Sequence, residues 1–498
     1  MQVTLQPVPV DLGEGVTIEA PGLVGTAEIQ PGVLGGRSDT EPNATPTFVA
    51  ALDEQDFHQQ HAIEVQAEEE PFATDGLTTR SGAPGMTLRV PDLGQDQPQV
   101  LMVVDEAGVV TWHLPEADTA DPGKVAFTVD RRVADSEVAA TDGSRGLVAA
   151  IGTKLLTVFV VPVIEKVVGR AGREVARVYE DRTHPQGVRW MTKDGFRTAG
   201  SDPVTDWSLL SEGRALLFVH GTASSSHGAF RGLDDATFGA LHTAYGGRVL
   251  AFDHHTLSAS LDDNVEELRR HLPPERRIPV DIVSHSRGGL VARAISEAMT
   301  APDTPLDVRS LVYVATPNGG TTLADPKRIH DYLDRMTTML NLIPDGPWST
   351  ATDTLSGLLT LVRSVLAGVV QELPGLAVMR PGNDRLAVLP FLGATGAREY
   401  AVDVEFEPSG PLLRLMRAAN AAVDSVFREA NDVVVPTGGV RHPKNRSDLA
   451  IPPDRHLSLG KREDAWHCAM FSQDATREAL KTWLAAPMNA APGTTPVP

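Results

Sequence analysis

The sequence is poor in cysteine and in basic residues. The first shortage excludes disulfide bonds within the chain, and the second argues against one class of binding partner. One cysteine in 498 residues, Cys468, excludes an intrachain disulfide and fits a reducing compartment. Lys and Arg number 44 against 65 Asp and Glu, which gives a net charge of −21. Because phosphate backbones are bound by basic surfaces, this charge argues against a nucleic-acid partner.

Long apolar runs are also missing. The most apolar stretch, residues 147–168, is interrupted by Lys154, Pro162, Glu165 and Lys166, and its charge-free core, Leu155 to Ile164, is too short to cross a bilayer. We expect a buried or interface helix there, and peripheral contact with a lipid surface stays open. The first residues lack the basic and apolar segments of a secretory signal, so we expect a cytoplasmic protein, with secretion by another route left open. Nothing in the sequence indicates an oligomeric state.

Periodicity and turn residues predict a chain of several parts. We expect a β-rich accessory domain over residues 1–145, a helical connector over 146–204, a catalytic domain over 205–490 and a disordered tail over 491–498. Within the catalytic domain, a helical insertion at about 325–395 interrupts the strands where a lid over a site would lie.

The predicted catalytic domain alternates short apolar strands with helices. Its strands include "RALLFVHGT", "RVLAFDHHT", "IPVDIVSHS" and "VRSLVYVATPN". Near-continuous apolar strands separated by helices predict a doubly wound, mostly parallel sheet covered on both faces. The fold class is therefore α/β, and the chemistry is expected at the carboxyl ends of the strands.

The segment "DIVSHSRGGLVAR" predicts a nucleophile on a sharp strand-to-helix turn. Ser286 follows an apolar strand, and small residues, Ser284 and Gly288, lie two positions before and after it. Ser284 stands where this motif has its first glycine. His285 lies inside the turn as a supporting residue. The pentapeptide alone fits a loop serine equally well, so the assignment depends on the other elements.

Two backbone amides are candidates for an oxyanion hole. A strand ends at His220 and Gly221, and the amide of Thr222 follows that turn. The amide of Arg287, next to the nucleophile, is the second candidate donor. The order of the elements brings both loops to the same edge of the sheet.

A base and an acid follow Ser286 in the chain. His467 precedes the last helix and is the preferred base, with His456 as the alternative. Asp432 in "NDVVVPTGG" is the preferred acid, with Asp403, inside a strand, as the alternative. The order Ser, Asp, His is that of α/β-hydrolases. No spacing of His, Asp and Cys suggests a metal site, and we expect no cofactor.

These segments resemble the α/β-hydrolase superfamily, in particular its bacterial esterase and lipase branch, related to triacylglycerol lipases and PGAP-like acylhydrolases. The resemblance is carried by "FVHGT", "SHSRGGLVAR", "VATPNGGTTLAD", "NDVVVPT" and "WHCAMF", and it covers about residues 205–490. It implies hydrolysis of carboxylic esters without metal or organic cofactor, and a helical lid after "ATPNGGT".

The expected function is therefore a serine esterase or lipase that acts on a small-molecule or lipid ester. The alternatives are an acyltransferase or amidase with the same three residues, or a non-catalytic binding protein on a hydrolase fold. The substrate and the role of residues 1–200 are left open.

Overall fold

The structure is a computed structural model that describes residues 2–30, 52, 56–69, 86–94, 96–105, 109–118, 121–129, 153–161, 172–194, 202–342, 352–366, 373–407, 430–443 and 449–485. The predicted tail, residues 491–498, lies outside these residues.

The strands and helices of the described residues are numbered in chain order. The strands are β1 Gln2–Thr4, β2 Val10–Gly13, β3 Val16–Glu19, β4 Leu23–Gln30, β5 His58–Glu69, β6 Met86–Pro91, β7 Gln99–Asp105, β8 Val110–His113, β9 Glu116–Ala117, β10 Lys124–Val129, β11 Thr153–Val160, β12 Gly187–Trp190, β13 Ala215–Val219, β14 Val249–Asp253, β15 Ile278–His285, β16 Leu306–Val314, β17 Arg398–Phe406 and β18 His456–Arg462. The α-helices are α1 Gly172–Thr183, α2 Ser226–Phe230, α3 Asp235–Ala244, α4 Leu261–His271, α5 Gly288–Ala298, α6 Ile329–Leu342, α7 Thr352–Leu366, α8 Pro374–Ala377, α9 Asp384–Val388, α10 Gly438–Arg441 and α11 Asp474–Leu484. Short 3₁₀ helices occur at Ser208–Glu212, Thr322–Ala324, Pro326–Arg328, Pro453–Arg455 and His467–Ser472. In the described ranges, no helix combines the length and apolar character needed to span a membrane.

The chain divides into two compact units, each built from several segments. The first unit contains Met1–Tyr179, Thr322–Leu373 and Pro408–Arg428, and the second contains Glu180–Thr321, Pro374–Glu407 and Glu429–Pro498. These bounds differ from the predicted domains, because the segment expected as a lid is split between the two units.

The first unit contains a sandwich of two antiparallel sheets. Among the described residues, one sheet has the order β1-β4-β5-β11-β7-β8 and the other β2-β3-β6-β10-β9. In β6, Met86, Leu88 and Val90 are buried and alternate with half-buried residues, which is the pattern of a strand with one face on a core. Leu88 joins Val103 and Val158 of the other sheet in one apolar core. The predicted β-rich N-terminal region is confirmed.

The apolar run expected as a helix contains a central strand instead. Thr153–Val160 forms β11, which pairs with β5 on one side and β7 on the other. The helix predicted across 147–168 is therefore wrong for these residues. A strand paired on both edges and buried along much of its length has the continuous apolar sequence that a buried helix also has. Farther along the predicted connector, α1 at Gly172–Thr183 is helical as expected.

Most of the predicted lid segment belongs to the sandwich unit. Helix α6 lies along the edge strand β8, where the amides of Val110 and Trp112 donate to Thr338 Oγ1 at 2.9 Å and to Asp334 Oδ1 at 2.8 Å. The helix thus satisfies the outward N–H groups of an edge strand that would otherwise be open to pairing. The sequence pattern predicts that amphipathic helices form here. It does not predict which surface of the protein their apolar faces pack against.

The second unit is built on a mostly parallel sheet with the order β12-β14-β13-β15-β16-β17-β18. Strand β12 is antiparallel to β14, and the remaining neighbours are parallel. Along β13 the side chains alternate between two covered faces. Phe218 packs with Phe238 of α3 and Leu480 of α11, while Leu217 on the opposite face lines a small apolar cavity with Leu268 of α4. The α/β-hydrolase fold expected from the sequence is confirmed.

Candidate active site

The candidate site lies at the carboxyl ends of β13 and β15. These strands are neighbours at the point where the chain order of the sheet reverses, since β14 follows on one side of β13 and β15 lies on the other. Their parallel register pairs Val219 with Ser284. The loop after Val219 and the turn after His285 therefore emerge side by side, which is where open α/β sheets form ligand crevices.

Ser286 occupies the sharp turn between β15 and α5. Its φ of 53° lies in the left-handed region that non-glycine residues rarely adopt. Behind it, a Cβ on Gly288 would lie 2.3 Å from the carbonyl oxygen of Val219, and a Cβ on Gly289 would lie 2.1 Å from Thr316 Oγ1. Only glycine fits at both positions, so α5 begins in direct contact with the end of β13. Ser286 itself is 5% exposed.

The two residues before Ser286 fix its surroundings. The Ser284 hydroxyl donates to the carbonyl of Val312 at 2.8 Å, so the serine that replaces the motif's glycine is buried and satisfied. Burial, and then the proximity of His467, lowers the pKa of His285 to about 3. The neutral ring donates through Nε2 to the carbonyl of His467 at 2.8 Å. His285 thus orients the backbone of His467.

Ser286, His467 and Asp432 form one chain of hydrogen bonds. His467 Nε2 lies 2.9 Å from Ser286 Oγ, and His467 Nδ1 lies 2.8 Å from Asp432 Oδ2. An ionised carboxylate only accepts, so Nδ1 carries the proton and the lone pair of Nε2 faces the serine hydroxyl. This arrangement can remove a proton from Ser286 as the hydroxyl attacks. The three predicted residues come together from distant parts of the chain.

The loop that carries Asp432 is fixed by its own backbone. The amides of Val434 and Val435 donate to Asp432 Oδ1 at 2.9 and 2.7 Å, which leaves Oδ2 for His467. The amide of His467 donates to the carbonyl of Asp432 at 3.0 Å. Asp432 and His467 are therefore joined through both side chain and backbone.

Two amides beside Ser286 are free to bind a ligand oxygen. Among the described residues, neither the Thr222 amide nor the Arg287 amide has a hydrogen-bond partner. Gly221 lies directly against the serine, since a Cβ there would be 2.7 Å from Ser286 Cβ. The amide of Arg287 lies at the start of α5, where a helix N-terminus favours negative charge. The Arg287 amide directly follows Ser286 in the chain, and the Thr222 amide follows Gly221, which lies against that serine.

His220 shapes the loop that carries Thr222. Its Nε2 accepts from the amide of His254 at 3.1 Å, so Nδ1 is protonated and donates to the carbonyl of Gly221 at 3.0 Å. Burial lowers the pKa of His220 to about 4, against the opposing effect of Asp253. A neutral ring is the form that these two bonds require.

The alternative base and acid pair with each other instead. His456 Nε2 lies 2.6 Å from Asp403 Oδ2 on the neighbouring strands β18 and β17. Ser286 is bonded to His467 and not to this pair. Among the described residues, no group of three or more His, Cys, Asp or Glu side chains could hold a metal ion.

Glu180 and the side chain of Arg287 lie close to the site but cannot be recognised from the sequence. Glu180 accepts five hydrogen bonds from Thr256, Leu257 and Ser258. The Arg287 guanidinium is fully buried and donates to the carbonyl oxygens of Gly375 and Ala259. In sequence, both charged residues look like ordinary surface positions, and no local pattern distinguishes them.

Comparisons with known proteins identify a family for this chain and several similar solved structures. The sequence profile of the family described as domain of unknown function (DUF7379) matches residues 183–485. No curated protein sequence matches the chain. The mature lipase BlEst2 of Bacillus licheniformis is similar at 18% identity, covering 54% of this chain and 91% of that chain with a TM-score of 0.32. Lipase 1 of Pelosinus fermentans is similar at 13% identity, covering 55% and 99% with a TM-score of 0.36. EstA of Clostridium botulinum is similar at 12% identity, covering 55% and 87% with a TM-score of 0.34.

Proposed function

The chain belongs to the family described as domain of unknown function DUF7379, and from the geometry around Ser286 we propose that it is a serine hydrolase of carboxylic esters. The observation that supports this proposal most directly is the chain of hydrogen bonds from Ser286 through His467 to Asp432. The two hydrogen bonds are 2.9 and 2.8 Å long. The free amides of Thr222 and Arg287 support the proposal as oxyanion donors.

In the proposed acylation step, His467 Nε2 takes the proton of Ser286 as Oγ attacks the ester carbonyl. The C–O π bond opens, and the carbonyl oxygen becomes an oxyanion that accepts from the amides of Thr222 and Arg287. Asp432 holds the proton on Nδ1 and stabilises the imidazolium. The imidazolium then protonates the leaving alcohol as the C–O bond to that alcohol breaks, leaving Ser286 acylated.

In the proposed deacylation step, water replaces the alcohol. His467 takes one proton from the water as its oxygen attacks the acyl carbonyl, and the same two amides hold the second oxyanion. The bond to Ser286 Oγ then breaks, and the proton on His467 returns to the serine. The products are an alcohol and a carboxylic acid, and the enzyme is unchanged.

We propose that the substrate carries an apolar acyl group. The segment that contains α8 lies beside the oxyanion loop, since the Thr222 hydroxyl donates to Met379 Sδ at 3.7 Å and the Gly375 amide donates to the carbonyl of Leu257 at 3.0 Å. This segment is the part of the predicted lid that belongs to the second unit. Leu376 and Met379 are buried in it and favour an aliphatic ligand over a charged one.

The test compares Ser286→Ala with Ser208→Ala, a matched change at an exposed serine. We expect Ser286→Ala to fold normally and to lose roughly 10⁶-fold in kcat on 4-nitrophenyl esters, because the nucleophile is gone. Ser208→Ala should keep wild-type rates. A fluorophosphonate should label Ser286 in the wild type, as mapped by peptide mass spectrometry. Full activity of Ser286→Ala would refute the proposal.

Substrate class is tested by a series of 4-nitrophenyl esters of increasing acyl length, with and without lipid vesicles. Rising kcat/KM from acetyl to longer acyl groups supports the apolar acyl group, and a strict preference for acetyl contradicts it. Amide substrates and added alcohol acceptors distinguish hydrolysis of esters from the amidase and acyltransferase alternatives. A protein that a fluorophosphonate does not label would be a binding protein instead.

A further inference from the structure

A buried carboxylate lies behind the proposed oxyanion loop. Glu180, near the end of α1, is 3% exposed. Its Oε1 accepts from the Thr256 amide at 2.6 Å, the Thr256 hydroxyl at 3.1 Å and the Leu257 amide at 2.8 Å. Its Oε2 accepts from the Ser258 amide at 2.9 Å and the Ser258 hydroxyl at 2.6 Å. Five donors use the full accepting capacity of a carboxylate, so the loop after β14 is tied to this one side chain.

The Thr256 hydroxyl links this carboxylate to the loop after β13. Because the Glu180 carboxylate only accepts, the single proton of the Thr256 hydroxyl points toward it. A lone pair of the same oxygen then accepts from the amide of Ala223 at 3.1 Å. The direction of both bonds is fixed by the charge on Glu180.

Ala223 is held in an unfavourable backbone conformation. Its φ of 52° lies in the left-handed region, where the Cβ of a non-glycine residue crowds the following carbonyl oxygen. Such strain persists where surrounding bonds over-determine the conformation. The bond from its amide to Thr256 supplies that constraint, and the residue before it is Thr222, whose amide is free.

We propose that Glu180 is a positioning residue for the oxyanion hole, acting through the Thr256 hydroxyl on Ala223 and so on the direction of the Thr222 amide. The inference rests on the proposed function, because it concerns the same Ser286 site. Glu180 does not touch the substrate, and its effect reaches the reacting oxygen through two hydrogen bonds and one peptide unit.

The buried guanidinium of Arg287 interacts electrostatically with Glu180. The Arg287 guanidinium donates to Ala259 at 2.7 Å and to Asn264 at 3.0 Å, beside the loop that Glu180 holds. Burial lowers the pKa of Arg287 to about 10, and the charge of Glu180 opposes that shift. For Glu180, burial would raise the pKa, but His255 and the bonds from Ser258 and Leu257 lower it below its ordinary value. Both groups are therefore ionised at neutral pH, and the carboxylate does not act as an uncompensated anion near the oxyanion.

The test uses Thr256→Val, which preserves the shape of the side chain and removes the hydroxyl. We expect kcat on 4-nitrophenyl butyrate to fall about 10- to 100-fold, less than the 10²–10³ lost when a donor is deleted, with KM changed less than threefold. Thr256→Ser restores the hydroxyl and should return kcat to within about threefold of wild type. Ser258→Ala is the matched control, because it removes a donor to Glu180 but no bond to Ala223.

A second readout separates positioning from loosening of the fold. In the thiono analogue of 4-nitrophenyl butyrate, sulfur replaces the carbonyl oxygen and accepts oxyanion-hole hydrogen bonds poorly, so a working hole turns over the oxygen ester preferentially. We expect Thr256→Val and Glu180→Gln to reduce the ratio of oxygen-ester to thionoester kcat at least fivefold, while Ser258→Ala leaves this ratio at the wild-type value.

The results of these measurements distinguish failure of the positioning role from failure of the proposed function. Equal losses on both esters, with an unchanged ratio, would overturn the positioning role, as would wild-type kcat in Thr256→Val. If Ser286→Ala abolishes activity while Thr256→Val does not alter it, only this inference fails. If Ser286→Ala remains active, the proposed function fails instead.

Discussion

Replacing Gly288 by alanine tests how tightly the turn that carries Ser286 is packed. The new Cβ would lie 2.3 Å from the Val219 carbonyl oxygen and 2.4 Å from that of His220. Ordinary contacts begin near 3.4 Å, so α5 must move by about 1 Å from the end of β13. Overpacking of this kind costs about 1–3 kcal/mol, and a displacement of about 1 Å in a reacting group costs about 10²-fold in rate.

Gly239→Ala provides the matched control, because Gly239 lies within α3 and a Cβ there would meet nothing within 4 Å. Alanine in a helix is favoured over glycine by about 0.5–1 kcal/mol, so this variant should be slightly more stable than wild type. Urea denaturation measures both stabilities, and the burst of 4-nitrophenol measures acylation. Wild-type stability and burst rate in Gly288→Ala would refute the steric argument and with it the close approach of α5 to β13.

Two further predictions concern histidines. Stability should fall between pH 7.5 and 5, because unfolded His285 takes up a proton near pH 6.5 while the folded residue, with its pKa lowered to about 3, does not. His285→Gln should therefore reduce the stability lost over this interval by about 2 kcal/mol in urea titrations, and parallel curves for variant and wild type would contradict the buried neutral ring. His467→Gln should abolish ester hydrolysis while His456→Gln keeps it within about threefold in steady-state assays, because His467 bonds Ser286 and His456 bonds Asp403. Loss of activity in both variants to the same degree would remove the distinction between the two pairs.

The parallel sheet could be predicted from the sequence because its strands are short, apolar and separated by helices. Strand β11 could not be predicted from the sequence, because a continuous apolar run fits a buried helix as well as a strand with neighbours on both edges. What decides between them is pairing with β5 and β7, which lie far away in the chain. The helix α6 illustrates the same limit, because periodicity gives its apolar face but not the edge strand β8 that it covers.

The candidate site could be predicted where each residue follows a strand or begins a helix. Ser286, Asp432 and His467 carry such local context, and their order in the chain adds a second constraint. Glu180 carries none, because it lies 76 residues from Thr256 and its five bonds are made by a loop whose sequence shows no charge preference. Residues that position a site through backbone amides leave little trace in sequence patterns, whereas residues that react must be of a few chemical types.

Ser284 shows that the two sides of the Ser286 turn are not equally restricted. Ser284 is buried at this position in β15, and its hydroxyl donates to the carbonyl of Val312 in β16 at 2.8 Å. A glycine would lose that hydrogen bond. Serine therefore fits this position, and its hydroxyl has a hydrogen-bond partner. On the other side, a Cβ on Gly288 or Gly289 would lie 2.3 or 2.1 Å from its nearest atom. The approach of α5 to the end of β13 therefore demands small residues after the nucleophile, and Gly221 of the loop after β13 lies directly against Ser286.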